Sequence, residues 1–147
     1  MEMTSSTSGG NDLAELDSIP DVSEDIRDVL NSVQIDMYEQ WRKKMVSWLI
    51  ESGKSPEFGE GYALDSLPGH LYRIDKFAAW VFSEYEFTTS FTHEHATEYW
   101  ERELKPNSNQ LRTNRKAANS IATIFKREAW ESEEATEWTI PNSDEVH

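Results

Sequence analysis

The sequence contains no cysteine, which excludes disulfides and thiolate metal sites and fits a reducing compartment. It also lacks any apolar run near the roughly 20 residues that a membrane-spanning helix needs. Its first residues have neither a basic start nor an apolar stretch, so they do not resemble a secretory signal. We therefore expect a cytoplasmic protein that does not associate with membranes.

Positive charge is scarce. The 147 residues include 14 Lys and Arg against 28 Asp and Glu, for a net charge of -14. On average, such a chain repels nucleic acids and anionic membranes. Because 12% of the residues are aromatic, we do not expect a disordered acidic protein. We interpret the acidic surface as halophilic, and the distribution of the charge is then more informative than its sum.

Apolar residues recur at helical spacing, and alternation with a period of two is almost absent. The pattern predicts an all-α protein, a small bundle of four to five helices. Thr92 is the predicted N-cap of the fourth helix and Gly53 the predicted C-cap of the second. The predicted helices cover about 21–33, 35–52, 66–85, 93–105 and 109–129.

The domain organisation follows from composition, since the chain is long enough for one packed core. Residues 1–20 are mainly Ser, Thr, Gly and acids, so we expect a disordered N-terminal tail. Residues 21–130 form the predicted helical, DNA-binding domain. Residues 131–147 are acidic and are predicted to be a disordered C-terminal tail.

One segment reverses the overall charge. Between Lys105 and Arg127 there are six basic residues and no acid, whereas the rest of the chain has eight basic residues and 28 acids. At about 100° per residue, the basic and polar side chains of the last helix fall within about 60° of Arg112. The apolar residues fall on the opposite side. These are Leu111, Ala118, Ile121, Ala122 and Phe125.

Arg, Lys, Asn and Thr are the residue types that hydrogen-bond phosphate oxygens and base edges. We therefore predict that this face binds duplex DNA, and that a smaller basic cluster on the second helix extends it. A docking face for an acidic protein, or a solvated face without a partner, is the alternative. The predicted DNA-binding residues are Lys105, Arg112, Arg115, Lys116, Asn119, Thr123, Lys126 and Arg127, with Arg42, Lys43 and Lys44 on the second helix.

Three segments carry a resemblance to a known family. They are WRKKMVSWLIESGKSPEFGEGYALDSL, LYRIDKFAAWVFSEYEFTTSFTHEHATEYWEREL and NRKAANSIATIFKREAW. From about Met37 to Pro141, roughly 70% of the chain, the sequence resembles the SAM-like core-binding domain of tyrosine recombinases (phage-type integrases) in its haloarchaeal form. The matching positions, in the family's order, are Tyr72, Asp75, either Phe77 or Trp80, then Thr92, Leu104, Arg115 and Phe125.

The resemblance implies a four-helix module that clamps one side of duplex DNA, opposite a C-terminal catalytic domain that this chain does not contain. We therefore expect a DNA-binding part of a site-specific recombinase, acting in DNA integration and recombination. It would have no catalytic centre and no cofactor. Besides duplex DNA, its partners would be its own catalytic domain or other recombinase protomers. The alternative is a stand-alone helical adaptor or regulator that binds an acidic protein partner.

Two patterns resemble catalytic or metal motifs. His70 and Arg73 spell His-x-x-Arg, but in the family this motif belongs to the catalytic domain, so we expect a surface pair. His93 and His95 flank Glu94, yet helix positions two apart point about 200° away from each other. With no H-E-x-x-H spacing, we expect no metal site.

Overall fold

The computed structural model describes residues 20–106 and 111–141. Residues 1–19 of the predicted N-terminal tail and residues 142–147 of the predicted C-terminal tail lie outside this part. Within it there are five α-helices and no strand, only an isolated bridge between Ser55 and Glu60. The all-α prediction is confirmed. No helix in the described ranges is long and apolar enough to cross a membrane.

The helices begin and end close to the predicted positions, with two short 3-10 turns, Pro56–Phe58 and Leu64–Ser66, between the second and third. The fourth helix continues through a π-helical turn, Trp100–Leu104, which the sequence pattern did not predict. The helices are α1 (Glu24–Val29), α2 (Ser32–Glu51), α3 (Leu67–Glu84), α4 (His93–Tyr99) and α5 (Leu111–Glu131).

Capping explains two of these boundaries. Thr92 Oγ1 accepts the His95 N–H at 3.1 Å, and His95 Nδ1 accepts the Thr92 N–H at 3.1 Å, so the predicted cap of α4 is confirmed. Asn31 and Gln34 form the same reciprocal box, which starts α2 at Ser32. The first helix is therefore shorter than predicted, because the chain turns extended at Leu30 before this cap.

The second helix ends one residue before the predicted position. Its C-cap is Ser52 rather than Gly53. The following loop then returns against the end of α2, where Tyr62 N–H donates to the Leu49 carbonyl at 2.9 Å. A Cβ at Gly61 would lie 1.6 Å from the Ile50 carbonyl oxygen, so this close return requires glycine. The loop is thereby held beside the helix that it leaves.

Helix α3 is the centre of the bundle and packs against α1, α4 and α5. Its apolar stripe is buried along the helix, whereas Tyr85, one turn beyond Val81, is 37% exposed because the helix ends at Glu84. The buried members are Leu67, Leu71, Ile74, Ala78 and Val81. An aromatic cluster fills the space beside it, with Phe77 ring centroids 5.4 Å from those of both Phe91 and Tyr99. This packing fixes the platform on which α5 lies.

The residues after α5 return to the domain. Trp138 is 5% exposed, and its indole N–H donates to Thr97 Oγ1 at 3.0 Å. His93 Nε2 donates to the Thr136 carbonyl at 2.9 Å. The predicted domain end at residue 130 is therefore too early, because this buried tryptophan attaches an otherwise acidic segment to α4 and α5.

Candidate nucleic-acid interface

One stripe of helix α5 is buried against the bundle in both halves of the helix. Asn114, Ala118, Ile121 and Phe125 are buried at spacings of four, three and four residues. Asn114 Nδ2 donates to the Leu104 carbonyl at 2.7 Å, which ties the start of α5 to the end of the π-helical turn. The buried stripe fixes which side of α5 can meet a ligand.

The exposure of α5 changes abruptly along its length. Between Leu111 and Asn119, every residue outside the buried stripe is exposed except the half-buried Ala117. Leu111 itself is 52% exposed, contrary to its predicted place on the docking side. From Ser120 to Ala129, every residue is buried or half-buried. We call Leu111–Asn119 the basic half and Ser120–Glu131 the docked half.

Three cations of the basic half have no carboxylate partner. Arg112, Arg115 and Lys116 are exposed and make no ion pair or hydrogen bond with any residue in the described ranges. By contrast, Lys105 pairs with Glu101 at 3.6 Å. The basic half is therefore a place where positive charge accumulates without local neutralisation, and Asn119 adds an exposed amide beside it.

Three predicted DNA-binding residues lie in the docked half, where they are buried or already have a partner. Thr123 is 1% exposed and donates to the Ser120 carbonyl at 2.6 Å, so its prediction was wrong. Lys126 is half-buried, with Nζ 3.4 Å from the Gly53 carbonyl. Arg127 is half-buried and pairs with Glu131 at 3.2 Å.

These residues are covered by a segment that packs beside α5, although their positions around the helix axis match the prediction. The predicted angles place Thr123 and Lys126 on the same side as Arg112. The Lys126–Gly53 contact places the loop after α2 against that side, one to two turns farther along. Periodicity gives the direction of a side chain around the axis but not where along the helix another segment covers it.

The prediction for Arg42 was also wrong. Arg42 is 7% exposed, and its guanidinium donates to both oxygens of the buried Asp75 at 3.1 and 2.9 Å. Tyr38 donates to the same carboxylate at 2.6 Å, so the charged pair is satisfied inside the bundle. Lys43 and Lys44 are exposed and unpaired within the described ranges, and their part in DNA binding stays a prediction.

The His-x-x-Arg pair is less exposed than predicted. Ser120 Oγ lies 2.8 Å from both His70 Nδ1 and Arg73 Nε, so it accepts the Arg73 N–H and shares a second hydrogen bond with the imidazole. Burial, followed by the charge of Arg73, lowers the pKa of His70 to about 4. The pair therefore joins α3 to the docked half.

Arg73 reaches α5 from the neighbouring helix, although the sequence indicated it only as part of a motif. Its side chain is half-buried and reaches Ser120, which lies one turn from Lys116 on the same side of α5. A basic residue on a neighbouring helix can be placed beside α5 only when the packing is known. No signal in the sequence alone links the two positions.

The two remaining histidines of the helix-four motif have structural contacts. His95 Nδ1 serves the α4 cap, and the His93 ring meets Phe125 at 4.9 Å between centroids. Within the described ranges, no group of three His, Cys, Asp or Glu side chains is arranged to hold a metal ion.

Comparison with protein-family models, with curated proteins and with solved structures finds no match to this chain.

Proposed function

We propose that the chain binds duplex DNA through the basic half of α5, as the core-binding module of a site-specific tyrosine recombinase. The observation that carries the DNA proposal is the set of three exposed, unpaired cations, Arg112, Arg115 and Lys116. They lie in a chain whose net charge is -14. A selective pressure for solubility in salt would favour acids at these positions, so a cationic surface calls for an anionic partner.

The expected affinity is modest. Each phosphate that a cation neutralises releases counterions, and three contacts imply a slope of log affinity against log salt of about -2.7. The acidic remainder opposes binding at long range, although salt screens it over a Debye length of about 10 Å at 0.1 M. We expect affinity near the non-specific range, about 10⁻⁴ to 10⁻⁶ M, with Asn119 as the nearest candidate for a base contact.

The recombinase part of the proposal rests on the resemblance between Met37 and Pro141. Its matching residues divide into two groups. Asp75, Phe77 and Phe125 are buried in the bundle, whereas Arg115 is exposed on the basic half. This division is what a DNA-binding module needs: a packed scaffold and a cation presented on its surface.

The alternative is a helical adaptor that receives an acidic protein partner on the same surface. The net charge of -14 favours it, because an acidic protein patch is local while duplex DNA extends beyond the cationic surface and meets the acids around it. Both proposals use Arg115 and Lys116, so substitutions at these residues do not distinguish them. The distinction comes from which ligand binds, duplex DNA or an acidic protein.

The test is a fluorescence-anisotropy titration with a random 30-base-pair duplex at about 50 mM salt, with folding checked by circular dichroism. We expect micromolar binding by the parent chain and at least about tenfold weaker binding by Arg115→Ala/Lys116→Ala. Arg27→Ala/Lys54→Ala removes the same charge from elsewhere and should change the affinity much less. A folded parent that binds poly-glutamate but no duplex would favour the adaptor and contradict the DNA proposal.

A hydroxyl-radical footprint tests the recombinase part. A module that clamps one side of DNA should protect one face of the duplex, repeating with the helical turn. Protection around the whole circumference would contradict that geometry.

A further inference from the structure

Arg73 on α3 is a partly buried cation without a counter-ion. Its side chain is half-buried, and this burial lowers the pKa of the guanidinium. The chain contains 28 Asp and Glu, yet no carboxylate in the described ranges pairs with Arg73. Removing a charge from water without a partner is costly. An anion that binds beside Arg73 would offset this cost.

The other arginines in the described ranges do not share this situation. Some of them pair with a carboxylate, and the rest are exposed to water. The paired ones are Arg27, Arg42, Arg102 and Arg127, and the exposed ones without a pair are Arg112 and Arg115. The combination of burial and a missing carboxylate therefore distinguishes Arg73 in this part of the chain.

The guanidinium of Arg73 is held in one orientation. Its Nε–H donates to Ser120 Oγ at 2.8 Å. Ser120 is 0% exposed and also contacts His70 Nδ1 at 2.8 Å, and the His70 ring packs on Tyr62 with centroids 4.3 Å apart. The acceptor is thus fixed by its own neighbours. Because Nε is used for this bond, the two Nη atoms remain as a planar pair of donors, without a hydrogen bond in the described ranges.

A glycine lies under these two donors. Gly69 is in the first turn of α3, and a Cβ at this position would lie 3.3 Å from Arg73 Nη1 and 3.6 Å from Nη2. Glycine is unfavourable within a helix, but here it leaves room for the guanidinium to lie close to the backbone. The first turn is also the positive end of the helix dipole, which favours an anion at the same place.

The donors of Arg73 match the chemistry of a phosphate group. Two parallel N–H donors of one guanidinium bind two oxygens of a phosphate, and such charged bonds are stronger than neutral ones. The side of α5 that Arg73 reaches at Ser120 also carries Lys116, one turn earlier in the helix. Lys116 is exposed and unpaired within the described ranges. A duplex that contacts the basic half therefore passes close to the seam between α3 and α5.

We propose that Arg73 binds one phosphate group through its two Nη atoms, at the seam between α3 and α5, and that Ser120 and Gly69 position its guanidinium for this contact. The identification of the ligand as a phosphate of duplex DNA rests on the proposed function. The site itself does not, because free phosphate carries the same oxygens.

The site is tested first with inorganic phosphate added to the full chain at constant ionic strength. The Arg73 Nε–H is protected by Ser120 and should give a resolved side-chain NMR signal. We expect this signal to shift saturably, with a dissociation constant on the order of millimolar, while the signal of the exposed Arg27 does not. No shift at Arg73, or an equal response to acetate, would overturn the proposal.

Two substitutions separate phosphate binding from folding. Gly69→Ala places a methyl group against Nη1 and displaces the guanidinium, whereas alanine favours the helix. We expect phosphate affinity to fall at least about threefold while the unfolding midpoint stays equal or rises. Arg73→Lys keeps the charge but lacks the planar pair of donors, and it should bind phosphate about tenfold more weakly. Unchanged affinity in either folded variant would overturn the proposal.

The DNA titration then identifies the source of the phosphate. Arg73→Ala should reduce the slope of log affinity against log salt by about 0.9, the value of one phosphate contact. Arg27→Ala removes the same charge from α1 and should leave the slope nearly unchanged. If inorganic phosphate binds at Arg73 and the chain does not bind duplex, the DNA function is wrong and the phosphate site stands. If the chain binds duplex and neither phosphate nor the slope responds to Arg73, the function stands and the phosphate site is wrong.

Discussion

The two halves of α5 have similar amino-acid patterns and different surroundings. Both carry Arg and Lys on the side that faces away from Ala118 and Ile121. In the basic half, these cations are exposed and unpaired within the described ranges, whereas in the docked half Lys126 contacts the Gly53 carbonyl and Arg127 pairs with Glu131. The same kind of side chain is thus a candidate ligand contact in one half and part of the fold in the other.

The segments that pack beside a charged helix face determine which part of it stays exposed. The loop after α2, held against its own helix at Gly61, contacts the docked half through Gly53. The acidic segment after α5 contacts it through Trp138. Arg112, Arg115 and Lys116 form no hydrogen bond or ion pair with either segment in the described ranges, although the segment after α5 lines a groove together with Asn119. The difference between the two halves therefore depends on two non-helical segments, a loop and the residues that follow α5.

The largest effect should come from a substitution in the docked half. Phe125 is 1% exposed, so Phe125→Ala should lower the free energy of unfolding by about 3–5 kcal/mol. Arg115→Ala in the basic half should change it by less than about 0.5 kcal/mol. Urea denaturation of both variants measures the contrast, and similar losses in the two would remove the distinction between the halves.

Asn114 is the expected exception within the basic half. Its amide is buried and donates to the Leu104 carbonyl, so Asn114→Ala should cost about 1–3 kcal/mol through the lost bond and the unsatisfied carbonyl. The neighbouring Thr113→Ala, at an exposed position, is the control. Equal unfolding midpoints for these two variants would show that α5 is not anchored at its start.

A structural feature could be predicted from the sequence where the residues that cause it lie a few positions apart. Helix α3 and the Thr92 cap were predicted because periodicity and capping are set by residues a few positions apart. The burial of Arg42 was not predicted, because its partner Asp75 is 33 residues away. Trp138 was assigned to a disordered tail because the residues around it are mostly acidic or polar, and composition alone does not show that one aromatic side chain is buried.

The candidate site divides in the same way. The acid-free run and the angle of Arg112, Arg115 and Lys116 are properties of one helix, so the sequence gives them directly. Arg73 lies on another helix and Thr123 lies beneath a covering segment. Both depend on tertiary packing, which no local pattern contains.

A further expected effect on stability concerns pH at the junction of α3 and the docked half. The pKa of His70 is lowered from 6.5 to about 4 in the folded chain, so the unfolded chain binds this proton first. The stabilisation is therefore complete above about pH 6.5, is lost as the pH falls toward 4, and does not change further below that. His70→Gln should flatten this part of the stability curve relative to the parent, whereas parallel curves would show that His70 is not held neutral.

The most direct measurement of the central claim compares the salt dependence of DNA binding in two variants of the same helix. Arg115→Ala/Lys116→Ala and Lys126→Ala/Arg127→Ala each remove one Arg and one Lys, from the basic and the docked half respectively. We expect the first to reduce the slope of log affinity against log salt by about 2 and the second to leave it nearly unchanged. An equal reduction in both variants, or a larger one for the docked half, would contradict it.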